Sequence, residues 1–454
     1  MRTRLTRIWV LAMVLALVAA ACSSDDGGTD ESTTTTAAQQ ETTTTTAAPD
    51  STTTTAAEPA GGVACDEPVK VGVITDQTGA LAIYGAHIMR AFPLGMEYAT
   101  GAPADGDTYT LDDCAIEVIY KDDQSNPETS VALARELIEV DGVDILVGSV
   151  SSGVTAGIQQ LAFDNDVIHI AAPAAANDLT GVTFNPNSFR VSRNNYQDGV
   201  SICEFLPTRF DTFVQIAPDY SFGYGGAAAY RDACTLNGGT FVADDIFAPA
   251  DTTDFTPYME QILDSGAEAW LVTWAGGGFV AMLQSAQDLG VLDEMTLASP
   301  FVDNIVMPTF FANAIGTTST ILYHYTQPDN EINDWLVEKV AEQGTFPDLF
   351  DADGMNAALL VVEALKATGG DASSEALRTA MEGISFEGPK GLIEIRAEDH
   401  VAIQDMYVVT LTNLDDPEFK FFDGVTTNRP DVPCLLEGEY ADRCGSLPVG
   451  SLSG

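Results

Sequence analysis

The chain has 454 residues, 45% of them hydrophobic, with 19 Lys plus Arg against 67 Asp plus Glu and a formal charge of −48 at pH 7. So acidic a surface repels phosphate backbones and excludes nucleic acid as a partner; it reads as a heavily solvated shell suited to saline surroundings. The length suffices for two lobes of ordinary size beyond the N-terminal segments described next.

Arg2, Arg4 and Arg7 precede an apolar run from Ile8 to Ala21. Its 14 residues fall short of the roughly 20 that span a bilayer as a helix. A basic start, a short apolar core and small residues at the exit read as a secretory signal over residues 1–21. The exit Val18-Ala19-Ala20-Ala21-Cys22 resembles a bacterial lipobox, which makes Cys22 the expected lipid attachment point and mature N-terminus. Residues 22–64 follow as a tether rich in Thr, Ala and Ser, in which the unit Thr-Thr-Thr-Thr-Ala-Ala recurs between Thr33 and Ala57. A tract without large apolar residues cannot offset the entropy of folding, so the tether is read as disordered.

From Val69 the chain alternates short apolar strands with amphipathic helices. Val69, Val71, Val73 and Ile74 form a run typical of a parallel strand covered on both faces. A loop with Asp76, Gln77 and Thr78 follows, then a helix from about Tyr84. Ile116 to Tyr120 is the second expected strand. The next helix has Asn126 as N-cap, Pro127 at its first position and Glu128 in its first turn. Val143 to Val147 and Val167 to Ile170 are strands flanking a helix that begins near Ser152. A second series runs through strand Thr212 to Ala217, helix Ala227 to Leu236, strand Thr240 to Ile246, helix Phe255 to Leu263, and strands Trp270 to Thr273 and Met295 to Ala298. Helices Glu331 to Gln343 and Asn356 to Thr368, with strands Leu392 to Ile395 and Met406 to Leu411, complete the pattern, Asp353 being read as a helix cap. Two successive strand–helix series give an α/β fold of two doubly wound lobes.

The turn Thr78-Gly79-x-Leu81-x-x-Tyr84-Gly85 resembles the opening of the leucine/isoleucine/valine-binding family of type I periplasmic binding proteins. Further matches follow in the same order: VGSVSSGVT, HIAAPAAAN, Phe189-Arg190 and FEGPKG. The resemblance covers Val69 to about Gly424. It implies two lobes joined by a three-segment hinge, crossed near Phe189–Arg193, Tyr323–Thr326 and Ile395–His400. Lobe 1 then takes residues 65–191 and 326–396, lobe 2 takes 192–325 and 397–430, and 431–454 form a tail. It also implies a monomeric solute-binding lipoprotein outside the cell membrane, which passes a small polar or amino-acid-like ligand to the permease subunits of an ABC transporter.

Ligand contacts are expected where strands meet helix N-termini, because free amides and hydroxyls there bind electron-rich groups. Gly148 to Thr155 offers Ser151, Ser152 and Thr155, and the resemblance makes Ser152 the principal hydroxyl. It also implies a backbone contact at Ala174, with Ala176 standing where amino-acid binders carry a threonine; Asn177 follows. Tyr84 is expected at the ligand-binding edge of the first sheet, Phe222 as the aromatic over the ligand, Trp274, Ala275, Gly276 and Gly277 as the second-lobe wall, and Asp303 is the nearest candidate acid for a ligand ammonium. The departures at Ala176 and around Asp303 argue against a standard branched-chain amino acid.

Cys65, Cys114, Cys203, Cys234, Cys434 and Cys444 make an even count in a chain read as exported, which points to disulfides among fifteen formal pairings. Local pairing, Cys65–Cys114, Cys203–Cys234 and Cys434–Cys444, is expected from their places beside neighbouring strands, in consecutive helices and in the tail. No CxxC pair and no metal-ligand histidine spacing occurs, so neither cofactor nor metal is expected. A hydrolase would need a GxSxG elbow with a following acid and histidine, which GSVSSG does not supply. A ligand sensor presenting the same cleft to a signalling partner is the remaining alternative.

Overall fold

The computed structural model describes residues 62–453 except Val302. The signal segment, Cys22 and the tether up to residue 61 lie outside the described residues. No helix among the described residues is long and apolar enough to cross a membrane.

Strand β1 (Val69–Thr75) buries Val69, Val71, Val73 and Ile74, so both its faces are covered, as a central parallel strand requires. With β2 (Thr108–Leu111), β3 (Cys114–Asp122), β4 (Ile145–Val147), β5 (Ile168–Ala171) and β6 (Ser188–Arg190) it forms a sheet of order β2-β3-β1-β4-β5-β6. All its pairings are parallel except the β2–β3 hairpin. That hairpin escaped the sequence reading, although Tyr109 and Leu111 alternate inward with exposed or half-buried threonines. Helices α1 (Ala82–Thr100), α2 (Pro127–Glu136) and α3 (Ser152–Asp164) connect these strands. Asn126 caps α2 as expected, its side-chain oxygen accepting from the Thr129 amide at 2.9 Å.

The second lobe opens with α4 (Asn195–Cys203) and is built on β7 (Thr212–Pro218), β8 (Thr240–Phe241), β9 (Ile246–Ala248), β10 (Ala269–Val272) and β11 (Thr296–Ala298). Their order is β11-β10-β7-β8, with β9 also on β7, all parallel. The expected single strand Thr240 to Ile246 is therefore two. The first pairs with β7 at Thr212 and Phe213 and the second at Ile216 to Pro218, and between them the Asp245 carboxylate accepts from Gln215 and Arg231. Helices α5 (Ser221–Leu236), α6 (Thr256–Ser265) and α7 (Gly277–Asp288) cover this sheet. Helix α5 starts six residues before the expected Ala227. Its glycine-rich first turns are helical because they press against the sheet; a Cβ on Gly223 would stand 1.9 Å from the Pro218 carbonyl.

Strand β12 (Thr318–Ile321) is followed by helices Glu331–Ala341 and Asp351–Thr368, which return to the first lobe and pack in its core. The latter begins earlier than the expected Asn356; Phe350 holds its N-cap position, and Asp353 lies buried within its first turn rather than capping it. Strands β13 (Ser385–Gly388), β14 (Gly391–Ile395) and β15 (Ala402–Ile403) form an antiparallel ribbon on that core. Strand β16 (Met406–Leu411) pairs with β12 on one side and β17 (Phe422–Asn428) on the other, and Ile321, Tyr407, Val409 and Phe421 join the second-lobe core. The chain thus crosses between lobes three times, after β6, after β12 and after β15. The last crossing falls beyond the expected Ile395–His400, because β15 still pairs with β14.

The tail lies over both lobes. Arg443 donates to the carbonyls of Ala397 and Glu398 at 2.7 and 2.8 Å and to Glu382 at 2.9 Å on one side. On the other, the Leu452 amide donates to Asp232 of α5 at 2.8 Å. Three disulfides join Cys65 to Cys114, Cys203 to Cys234 and Cys434 to Cys444.

Candidate functional site

The carboxyl ends of β1, β4 and β5 face those of β7 and β10 across the gap between lobes, where open α/β sheets bind ligands. Here the first lobe contributes Leu81, Tyr84, Val150, Ser152, Pro173, Ala175 and Phe350 to a cavity of about 20 Å³. Tyr220, Phe222, Ala275 and Phe301 close it from the second lobe, and Arg193, from the first crossing, completes the lining. The lobes are drawn together: the Gly277 amide donates to the Ala80 carbonyl at 3.3 Å.

Ser152 occupies the first position of α3 and is 3% exposed. Its oxygen accepts from the amides of Ala175 at 3.2 Å and Ala176 at 3.1 Å, which leaves its own proton to donate. Ser151 is the N-cap residue of α3 and lies outside the cavity lining. Thr155 is spent on the loop itself, its hydroxyl bridging the Ser149 amide and the carbonyls of Ser149 and Ser151. The carbonyls of Ala174 and Ala176 accept from Arg190 at 3.0 and 2.6 Å, and the Ala176 amide donates to Ser152, so these backbone groups of the hinge loop are taken. Asn177 bridges the lobes, donating to the Gly225 carbonyl at 3.1 Å and accepting from the Tyr196 amide at 3.2 Å.

Tyr84 and Phe222 line the cavity. Tyr84 meets Phe350 edge-on at 5.0 Å and Phe222 meets Phe301 edge-on at 5.9 Å, a spacing typical of favourable aromatic pairs. Burial, reinforced by the charge of Asp303, holds the Tyr84 phenol well above its ordinary range, so it acts only as a neutral hydroxyl. Trp274 does not face the cavity. It is 1% exposed in the second-lobe core, edge-on to Phe255 at 5.0 Å, and of the four residues expected in that wall Ala275 lines the cavity. Strand β10 is followed by a turn at Gly276, whose φ of 72° brings the chain so close to the first lobe that a Cβ would stand 2.5 Å from the Ala80 carbonyl. Gly276 therefore shapes the lobe contact. Asp303 is 3% exposed and outside the lining; one oxygen accepts from the Ile305 amide at 3.0 Å, and the other has no partner among the described residues.

Arg193, Phe301 and Phe350 were not singled out from the sequence. The guanidinium lies 5.1 Å from the Phe301 ring centre and 5.4 Å from that of Phe350. Its Nε donates to Asp198 at 3.3 Å and its Nη1 to the Pro173 carbonyl at 3.1 Å. The one available signal was position, since Arg193 ends the expected first crossing.

Beneath the Ser152 loop, Ser149 Oγ lies 2.5 Å from Asp123 and 3.0 Å from Asp76. Burial raises both carboxyls, and the charge of Asp76 helps push Asp123 up to about 6. Among the described residues no cluster of three or more His, Cys, Asp or Glu is placed to hold a metal ion. His169 and His324 are buried, and burial lowers both to about 4, so they are neutral core groups.

Known proteins are similar to this chain over most of its length. A family model described as periplasmic binding protein matches residues 68–416. The Leu/Ile/Val-binding protein homolog 6 of Brucella melitensis is 26% identical over 368 residues, covering 79% of this chain and 91% of that protein. A crystal structure of an ABC-type branched-chain amino acid transporter from Rhodopseudomonas palustris matches with 31% identity and a TM-score of 0.69, over 82% of this chain and 100% of the other. A solute-binding protein of an ABC transporter from the same species, in complex with 3,4-dihydroxybenzoic acid, matches with 25% identity and a TM-score of 0.71, over 80% of this chain and 97% of the other.

Proposed function

The chain belongs to the periplasmic binding protein family, and from that premise we propose that it captures a small polar or amino-acid-like solute between its lobes and delivers it to the permease of an ABC transporter. The family consists of binding proteins, not enzymes, and works outside the cytoplasm. The observation that carries the proposal is the cavity between the strand ends of two hinged lobes, with the Ser152 proton free to donate into it. Solute enters when the lobes swing apart on the three crossings, and they close over it at a wider setting than the present one, whose cavity of about 20 Å³ has room for a single water. Attachment through a lipid on Cys22, with the Thr-rich tether as spacer, belongs to the same proposal and draws its support from the sequence.

A thermal-shift screen over amino acids, amides, polyamines and aromatic acids tests the reading. A solute at one hundred times its Kd adds about 2.7 kcal/mol to stability, and Ser152→Ala with Phe222→Ala should abolish that gain. A stabilising solute whose effect survives in that double variant would place the site elsewhere.

A further inference from the structure

We infer that Arg193 sets the ligand class, and that the class is a carboxylate carried on a planar apolar body rather than a zwitterionic amino acid. The inference rests on the reading of the cleft as the solute site.

Among the described residues lining the cavity, Arg193 is the only charged one. With Nε bound to Asp198 and Nη1 to the Pro173 carbonyl, its Nη2 has no hydrogen-bond partner among the described residues. The Ser152 hydroxyl, filled as an acceptor by two amides, can only donate. Donors therefore converge on the cavity while the one carboxylate on Arg193, that of Asp198, engages Nε and stays outside the lining; a carboxylate accepts charge-assisted bonds from Nη2 and the hydroxyl better than a neutral group does. An α-ammonium needs acceptors instead. Asp303 stays outside the lining, with one oxygen on the Ile305 amide and the other without a partner among the described residues, and Asp198 is held by Arg193.

The rest of the wall is aromatic. Phe301 and Phe350 already lie against the guanidinium, and Tyr84, Tyr220 and Phe222 complete a set of five rings. Ring faces and edges at these spacings receive a flat apolar body with stacking and edge contacts that a branched aliphatic chain cannot match. A carboxylate on Arg193 would place such a body among these rings.

Titration calorimetry of the full chain with benzoate, benzamide, L-phenylalanine and L-leucine tests this. Benzoate should bind at least about tenfold more tightly than the other three. Arg193→Gln should cost benzoate about tenfold or more while leaving benzamide within about threefold. Because Arg193→Gln leaves Asp198 unpaired in the interior, the double variant Arg193→Gln/Asp198→Asn and the variant Phe350→Leu, each checked by thermal unfolding, carry the same expectation for benzoate. Tighter binding of either amino acid, unchanged benzoate affinity in the folded variants, or no benzoate binding at about 10 mM would overturn the inference. Amino-acid binding that depends on Ser152 would sink this inference alone and leave the cleft reading standing.

Discussion

The Gly277 amide reaches from the head of α7 to the Ala80 carbonyl in the β1–α1 loop, 3.3 Å away, and so ties one lobe to the other at the mouth of the cleft. Gly276 makes the approach possible, since its φ of 72° and missing Cβ admit the Ala80 oxygen. Gly276→Val should hold the lobes apart. We expect solute affinity to fall about tenfold or more, and small-angle scattering to show ligand-induced compaction in the parent but not in the variant.

Ser152→Ala acts on two levels. It removes the donor facing the solute and leaves the buried amides of Ala175 and Ala176 without their acceptor. An unsatisfied buried donor costs about 1–3 kcal/mol, so chemical denaturation should show a loss of that order beside weaker binding in calorimetry.

Trp274→Ala separates stability from affinity. The indole is packed in the second-lobe core, so its removal leaves a cavity worth about 3–5 kcal/mol. Denaturant midpoints should fall accordingly, whereas the Kd of the folded variant should stay within about threefold of the parent. A large affinity loss in folded protein would show that the indole reaches the solute.

The carboxyl of Asp123, raised to about 6 from an ordinary value of 3.8, is more easily kept protonated in the folded chain than in the unfolded one. Its contribution is therefore complete below pH 3.8 and is lost as pH rises through about 6. Asp198 and Asp353, both raised to about 6 chiefly by burial, add the same sign. Asp123→Asn keeps the neutral form at every pH. The stability of the variant relative to the parent should rise between pH 4 and pH 6 and level off above, as followed by thermal unfolding across that window.

Glu382 has the opposite sign. Its bond from His400, aided by Arg443 of the tail, lowers it from 4.5 to about 2. The stabilisation is present above pH 4.5 and lost as pH falls through 2. Glu382→Gln should flatten the acid limb of the unfolding profile, with little change in its slope above pH 5.

Most of the fold was legible because its signals are local. The buried β1 run, the Asn126-Pro127 helix start and the repeated strand–helix alternation each follow from a few adjacent residues. Elements failed where tertiary contact overrode composition. The glycine-rich start of α5 reads as loop until the sheet beneath it is known, and β2 exists only through β3. The site was legible in part for the same reason. Ser152, Tyr84 and Phe222 sit at strand or helix ends that a motif can mark. Trp274 and Ala275 are neighbours, and which of them faces the cavity is decided by how the turn before α7 leaves β10. Arg193 takes its role from two rings distant in sequence, which no linear pattern could bring together.

The three disulfides join cysteines that are consecutive in the chain, and no bridge encloses or interleaves with another. With Cys22, the one thiol ahead of these six, taken up by the proposed lipid, a chain entering an oxidising compartment N-terminus first presents each cysteine's partner before any further thiol has appeared. Pairing in order of arrival yields the native set, so no bridge has to be broken and remade. The first lobe's bridge, the second lobe's and the tail's can each form while the segments behind them are still being delivered.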